Sequence, residues 1–229
     1  MGSNYKAKYD VDLVFVIDAT GSMTDLIDMV KENALRFHVD LCNIMSAKKK
    51  IINQLRIRLI AFRDYMEDGE NAMMLTDFFT FPEQAEDFRE AVNSIEADGG
   101  GDEPEDGLEA LGFAIRSDWC NNSGTKKRHV IVVWSDASTH ELGFGSSSPY
   151  YNKDMAKNFD ELTRWWGFGQ TSGYIDNRAK RLLLYTPDAP DWNKISSNWE
   201  NVIHFQSVAG NGLAEADYSE IINTIAQTV

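Results

Sequence analysis

The strand-like runs of this chain are apolar almost without interruption, and that one property removes most folds from consideration. Leu13-Val14-Phe15-Val16-Ile17, Ile57 to Phe62 and His129 to Ser135 are β-prone runs rather than alternations of apolar and polar residues. A strand open to water on one face alternates; a strand covered on both faces does not. Arg181 to Tyr185 and Val202 to Gln206 read as two further strands, and Met73 to Phe81 contains another short one. Between them lie helical patterns. Leu26, Val30, Phe37, Leu41 and Ile44 fall near one face of a first helix, with Thr24 placed as its N-cap. Pro82 opens a second helix that runs to about Ile95. Pro104 and Glu105 read as the first turn of a third, with Leu108, Leu111 and Ile115 inward. A helix is expected over Lys153 to Trp166 and a last one over about Asp217 to Thr228.

Strands and helices therefore alternate. The expected fold class is α/β: a doubly wound, mostly parallel six-stranded sheet with one short antiparallel edge strand near Met74 to Phe79 and helices on both faces. Residues 1–10 read as a tail or an expression scar, and 11–229 as one domain. Residues 143–174 carry eight aromatics, Trp165-Trp166 among them, and read as an elaborated connection whose rings cover a sheet face.

Composition narrows the function. Lys and Arg number 22 against 36 Asp and Glu, a net charge of −14. That argues against a nucleic-acid groove, which needs clustered cations. The two basic runs, Lys48-Lys49-Lys50 and Lys126-Lys127-Arg128, read as solvated element ends. No apolar stretch approaches the roughly 20 residues of a membrane helix. Cys42 and Cys120 match no zinc spacing and read as two buried, reduced thiols, which favours a cytoplasmic location; a removed upstream segment stays open.

Ligands of open α/β sheets bind at the carboxyl ends of the strands. There this sequence places oxygen groups on three loops. Asp18, Thr20 and Ser22 follow the first strand; Asp102, Glu103 and Glu105 follow a glycine run; Asp136 follows the strongest strand, within Ser135-Asp136-Ala137-Ser138-Thr139-His140. Alternate residues of an extended segment point the same way, so Asp18, Thr20 and Ser22 can form one half-cup. Crowded carboxylates repel unless a cation neutralises them. Oxygen ligands with no convergent His or Cys select Mg²⁺, Mn²⁺ or Ca²⁺. Taken singly, Ser22 or Thr24 and Asp136 also read as helix caps. His140 reads as a neighbour of the site rather than a ligand, and Arg63-Asp64-Tyr65 as a segment that closes it from one side.

Asp18-Ala19-Thr20-Gly21-Ser22-Met23, preceded by Val14 to Ile17, resembles the first motif of a von Willebrand factor type A domain, Asp-x-Ser-x-Ser or Asp-x-Thr-x-Ser, the core of the metal-ion-dependent adhesion site. Asp136 after Ile131 to Trp134 matches the family's final metal-associated aspartate. The resemblance implies a non-enzymatic module that binds a protein partner through a bound Mg²⁺, with an acidic side chain of the partner completing the metal shell. One position departs. Many members place a threonine in the middle loop, five residues before a helix glycine; counting back from Gly107 lands on Asp102, with Glu105 the next choice. A carboxylate there implies a tighter cation and a weaker pull on a partner's carboxylate. Two alternatives remain at this stage. The Asp18 loop is also similar to that of haloacid-dehalogenase-type Mg²⁺ phosphatases, although Thr20 stands where their general-acid aspartate would be. The other is a scaffold subunit with a vestigial metal site.

Overall fold

The computed structural model describes residues 7–99, 103–213 and 216–229. Strand β1 (Ala7–Asp18) lies at the centre, pairing in parallel with β2 (Lys50–Phe62) on one side and β5 (Lys126–Trp134) on the other. Beyond β5 follow β8 (Lys180–Pro187) and β9 (Val202–Ser207), also parallel. The far side of β2 carries two antiparallel pieces, β3 (Met73–Leu75) and β4 (Phe79–Phe81). The expected antiparallel edge is thus present, split into two three-residue strands that share β2 as partner. A hairpin of β6 (Gly167–Phe168) and β7 (Thr171–Ser172) stands apart from the main sheet.

The period of two in β1 sorts its side chains between two cores. Val11, Leu13, Phe15 and Ile17 face one layer, made by α1 (Thr24–Asn33), α2 (Phe37–Ala47), α3 (Ala85–Asn93) and α7 (Tyr218–Thr228). Val14 and Val16 face the other, made by α4 (Gly107–Ile115), α5 (Phe159–Trp166) and α6 (Pro190–Asn198). Burial on both faces is what the uninterrupted runs require.

Several boundaries differ from the sequence reading for local reasons. β1 starts at Ala7, so residues 7–10 are strand rather than tail: Asp10 sits among Asn53, Asn122 and Thr125. The first helical pattern is two helices, α1 and α2. Thr24 caps neither, because its hydroxyl turns back to donate to the Gly21 carbonyl. Helix α3 starts at Ala85, three residues after Pro82, and α5 starts at Phe159, where the Asn158 side chain accepts from the Glu161 N–H and fixes the N-terminus. Cys42 is exposed rather than buried, and both thiols are free. In the aromatic connection, Trp166 is fully buried and Phe159 and Trp165 pack against the core, but Phe144, Tyr150, Phe168 and Tyr174 are more than half exposed. No helix among the described residues is long and apolar enough to cross a membrane.

Candidate metal centre

Asp18 is the last residue of β1, opposite Phe62, and it is completely buried. There the chain leaves the sheet and folds over its own carboxylate. Oδ1 accepts from the Thr20 N–H at 3.0 Å and the Thr20 hydroxyl at 2.6 Å, while Oδ2 accepts from the Ser135 hydroxyl at 2.7 Å. An aspartate binding the backbone two residues on is a turn device encoded locally. Thr20 Oγ1 lies 3.4 Å from Ser22 Oγ, and Ser22 donates to Asp136 Oδ1 at 2.9 Å. Asp18, Thr20, Ser22 and Asp136 therefore form one connected string of oxygens across two loops. The loop after β9 closes it from a third side, with the Gly212 N–H donating to Asp136 Oδ2 at 2.7 Å and the Gly210 N–H to the Asp136 carbonyl at 2.8 Å. Gly212 has φ +57°, and a Cβ there would lie 2.2 Å from the Ser22 carbonyl oxygen. Helix capping does not account for these side chains: the first helical turns have no side-chain cap, and both Asp136 carboxylate oxygens are spent on Ser22 and Gly212.

The middle loop corrects one expectation. Glu105 is not in a helical turn. It bridges to Thr139 in parallel, its N–H donating to the Ser138 carbonyl and its carbonyl accepting from the His140 N–H, and α4 begins only at Gly107. This pairing ties the middle loop to the one after β5 and buries Glu105 to 2% exposure. Asp102 lies outside the described residues.

Burial pushes the Asp18 carboxyl up to about 6 despite the hydrogen bonds from Thr20 and Ser135, and Asp136 adds repulsion. Glu105 is pushed further, to about 9, by burial and then by Asp18, Asp64, Asp68 and Asp106; its Oε2 has no hydrogen-bond partner. Behind it the acidity continues. Asp106 Oδ2 accepts from the Tyr65 N–H at 2.7 Å while Oδ1 has no partner, and burial raises its carboxyl to about 6. Glu109, in the first turn of α4, accepts from the Gly143 N–H and the Tyr151 hydroxyl on Oε1, leaves Oε2 without a partner, and is raised by burial to about 7. Asp64 accepts from His140 Nε2 at 2.7 Å. Arg63, the nearby guanidinium, spends its donors on the carbonyls of Ala19, Asn71 and Glu96, holding three loops together. Arg63-Asp64-Tyr65 thus ties the Ala19, Glu96, Asp106 and His140 segments together beside these residues. Among the described residues, no Lys or Arg forms an ion pair with Asp18, Glu105, Asp106, Glu109 or Asp136.

Sequence reasoning missed Ser135 and the backbone donors of Gly210 and Gly212. Ser135 adjoins Asp136 at the end of the strongest strand, a readable signal; the glycines act through positive φ and backbone N–H groups, which a side-chain inventory overlooks.

The donor set suits a hard divalent cation: two buried carboxylates and two hydroxyls in contact, with an orphaned carboxylate oxygen on Glu105 and no cationic side chain to offset them. Among the described residues, no three His, Cys, Asp or Glu side chains converge into a ready-made metal cage. A metal held here relies on the hydroxyls of Thr20 and Ser22. For phosphatase chemistry, the position two residues after Asp18 is filled by Thr20, whose hydroxyl already donates to Asp18.

Comparison with known proteins agrees with this architecture. The von Willebrand factor A domain pattern matches residues 12–141, more than half of the chain. The alpha-protein kinase vwkA of Dictyostelium discoideum is 26% identical over 146 residues, covering 64% of this chain and 21% of that protein. The ariadne-like RING finger protein R811 of Acanthamoeba polyphaga mimivirus is 28% identical over 183 residues, covering 77% of this chain and 15% of that protein. The chain thus spans about a fifth or less of the length of these curated relatives. Among solved structures, the pilus adhesin SpaC of Lactobacillus rhamnosus GG superposes with a TM-score of 0.53 at 13% identity, covering 95% of this chain and 30% of the adhesin; that likeness is one of fold.

Proposed function

The chain belongs to the von Willebrand factor A domain family, and from that premise we propose that it is a binding module whose C-terminal sheet edge holds Mg²⁺, or Mn²⁺ or Ca²⁺, and presents it to a protein partner. Residues 7–229 act as one such module, with 143–174 as an elaborated connection. Asp18, Thr20, Ser22 and Asp136 hold the ion, and Asp102 takes the place of the family's threonine. The observation that carries this reading is the string of oxygens from Asp18 through Thr20 and Ser22 to Asp136, close enough to Glu105 for Asp18 to raise its carboxyl and with no protein cation paired to it among the described residues. When bound, the ion supplies the positive charge these carboxylates lack and a coordination position for an oxygen of the partner. No catalytic step is assigned to the module; kinase and RING functions are those of the relatives.

The test is calorimetric titration of Mg²⁺ in parallel with melting in Mg²⁺ and in EDTA. A ligand bound only by the native state stabilises it by about 2.7 kcal/mol at a hundredfold excess over Kd. Mg²⁺ is expected to raise the melting temperature, EDTA to reverse the rise, and Asp18→Ala to abolish it. Identical melting of wild type in both buffers sinks the metal reading. The partner side is read by affinity purification from the source cell in the same two buffers; capture unaffected by EDTA reduces the site to a structural one. Asp102→Thr is expected to weaken Mg²⁺ and to strengthen capture of acidic peptides, because one negative charge leaves the path of the incoming carboxylate.

A further inference from the structure

The opposite edge of the sheet gathers the two basic runs that lie far apart in the sequence. Strand register does this: Ala7 pairs with Lys50, Tyr9 with Lys126, Val11 with Arg128, and Val130 with Arg181. Lys126, Arg128 and Arg181 share the face of Tyr9, because alternate strand residues point the same way. Lys50 Nζ, Lys126 Nζ and Arg128 Cζ stand 5.6, 5.7 and 5.3 Å from the centre of the single Tyr9 ring. Lys48 follows the last turn of α2 beside them.

These cations repel one another. Burial lowers Lys50, and Arg128, Lys48 and Lys126 lower it further; burial and then Arg128 lower Arg181. Their hydrogen bonds go to backbone carbonyls, Arg128 to Val229 and Lys127, Arg181 to Arg178 and Lys180. Among the described residues none of the five pairs with an Asp or Glu side chain, although Arg128 Nε meets the Val229 oxygen at 3.1 Å. Asp10, the nearby acid on β1, points to the other face and is held by Thr125, Asn53 and Asn122. The C-terminal ends of α2 and α7 reach this edge and favour cations, but each is worth about half a charge. Two helix ends therefore offset about one of the five positive charges, and a surplus remains on a chain whose net charge is −14.

We propose that this N-terminal edge, around Tyr9, Lys50, Lys126, Arg128 and Arg181, binds a compact phosphomonoester-type anion. A phosphomonoester carries about −1.5 to −2 charge and three acceptor oxygens, which several converging donors can share. A compact ligand is favoured over an extended polyanion because the acidic remainder of the molecule lies within a few Debye lengths, about 8 Å each, and repels a long chain or a sheet of charge. The chemistry is shared by a free phosphoester and by a phosphorylated lipid headgroup.

Pyrophosphate titrated calorimetrically in EDTA at physiological ionic strength tests the site with the metal centre silenced, so failure here and failure of the metal reading are separate results. Saturable 1:1 binding is expected. The double variant Lys50→Gln, Lys126→Gln should weaken it about tenfold or more, the scale of losing charge-assisted contacts, while Lys127→Gln on the other face stays within about twofold. The double variant should melt at or above the wild-type temperature, since repulsion is relieved, which separates lost binding from lost folding. A parallel arm uses vesicles bearing phosphatidylinositol bisphosphate and vesicles of equal charge bearing phosphatidylserine. Stronger capture of the bisphosphate vesicles than of pyrophosphate assigns the headgroup as source; the reverse assigns a free phosphoester. The proposal is overturned by no saturable binding to either probe, by an equal loss in Lys127→Gln, or by capture of both vesicles to an equal, measurable extent without saturable pyrophosphate binding.

Discussion

Strand β1 carries buried aspartates near both of its ends, and the protein treats them differently. Near the start, Asp12 is met by Arg56 through two bonds of 2.8 and 2.7 Å and by the Cys120 N–H at 2.6 Å. Asp10 accepts from three side chains, which together hold its carboxyl below its usual range although burial opposes them. At the far end, Asp18 receives hydroxyls and one amide but no cation, and its carboxyl rises to about 6. The chain supplies its own compensation at the first end. At the second, Asp18, Asp136 and Glu105 have no cationic side chain paired with them among the described residues, and the carboxyls of Asp18 and Glu105 titrate upward instead. All three aspartates expose almost no surface, but Asp18 lies deeper and its donors are fewer than its burial demands, whereas Asp10 and Asp12 are met by side chains of the chain itself.

The largest expected effect breaks the compensated end. Asp12→Ala strands the Arg56 guanidinium and the Cys120 N–H, and removal of one partner from a buried pair costs about 3–5 kcal/mol. Denaturant unfolding should show this loss equally in Mg²⁺ and EDTA; a metal-dependent loss would mean the two ends are not independent.

Next comes a gain at the uncompensated end. The Glu109 carboxyl titrates at about 7 in the fold against 4.5 when unperturbed. Below 4.5 it is protonated in both states and burial of charge costs nothing; the cost grows as pH rises and is complete above 7. Glu109→Gln keeps an oxygen for Gly143 and Tyr151, so it should stabilise the protein at pH 8 by up to about 3 kcal/mol and by little at pH 4.5. A pH-independent difference between the two proteins would refute the assignment.

Gly212→Ala should cost about 1–2 kcal/mol for its left-handed backbone, with more from the clash at Ser22, and should also weaken Mg²⁺, because the Gly212 N–H positions Asp136. Unchanged calorimetric affinity would separate that loop from the site. The smallest change is Asp18→Asn in EDTA. Removing an uncompensated buried charge while keeping its shape should leave the melting point within the equivalent of about 1 kcal/mol, or raise it. A loss on the scale of Asp12→Ala would show that Asp18 is structural after all.

The local sequence determined the elements and the first loop of the site. Short, β-prone apolar runs bounded by turn residues read as strands buried on both faces, so the sheet and its two helical layers were legible in the sequence. Asp18, Thr20 and Ser22 were legible because their spacing is local: an extended segment puts them on one side, and Asp18 binds its own loop. The distribution of compensation was not legible. Arg56 reaches Asp12, Ser22 reaches Asp136, Gly212 closes on Ser22, and Glu105 leaves its expected helix to pair with the Ser138–His140 loop, all through strand order and register. The same register carries Lys50 and Lys126 to one tyrosine ring. Charge acts through space, and distance through space is set by which strands lie side by side. The sequence alone therefore specified which groups exist and which elements carry them, while the tertiary structure decided which charges are cancelled within the chain and which are not.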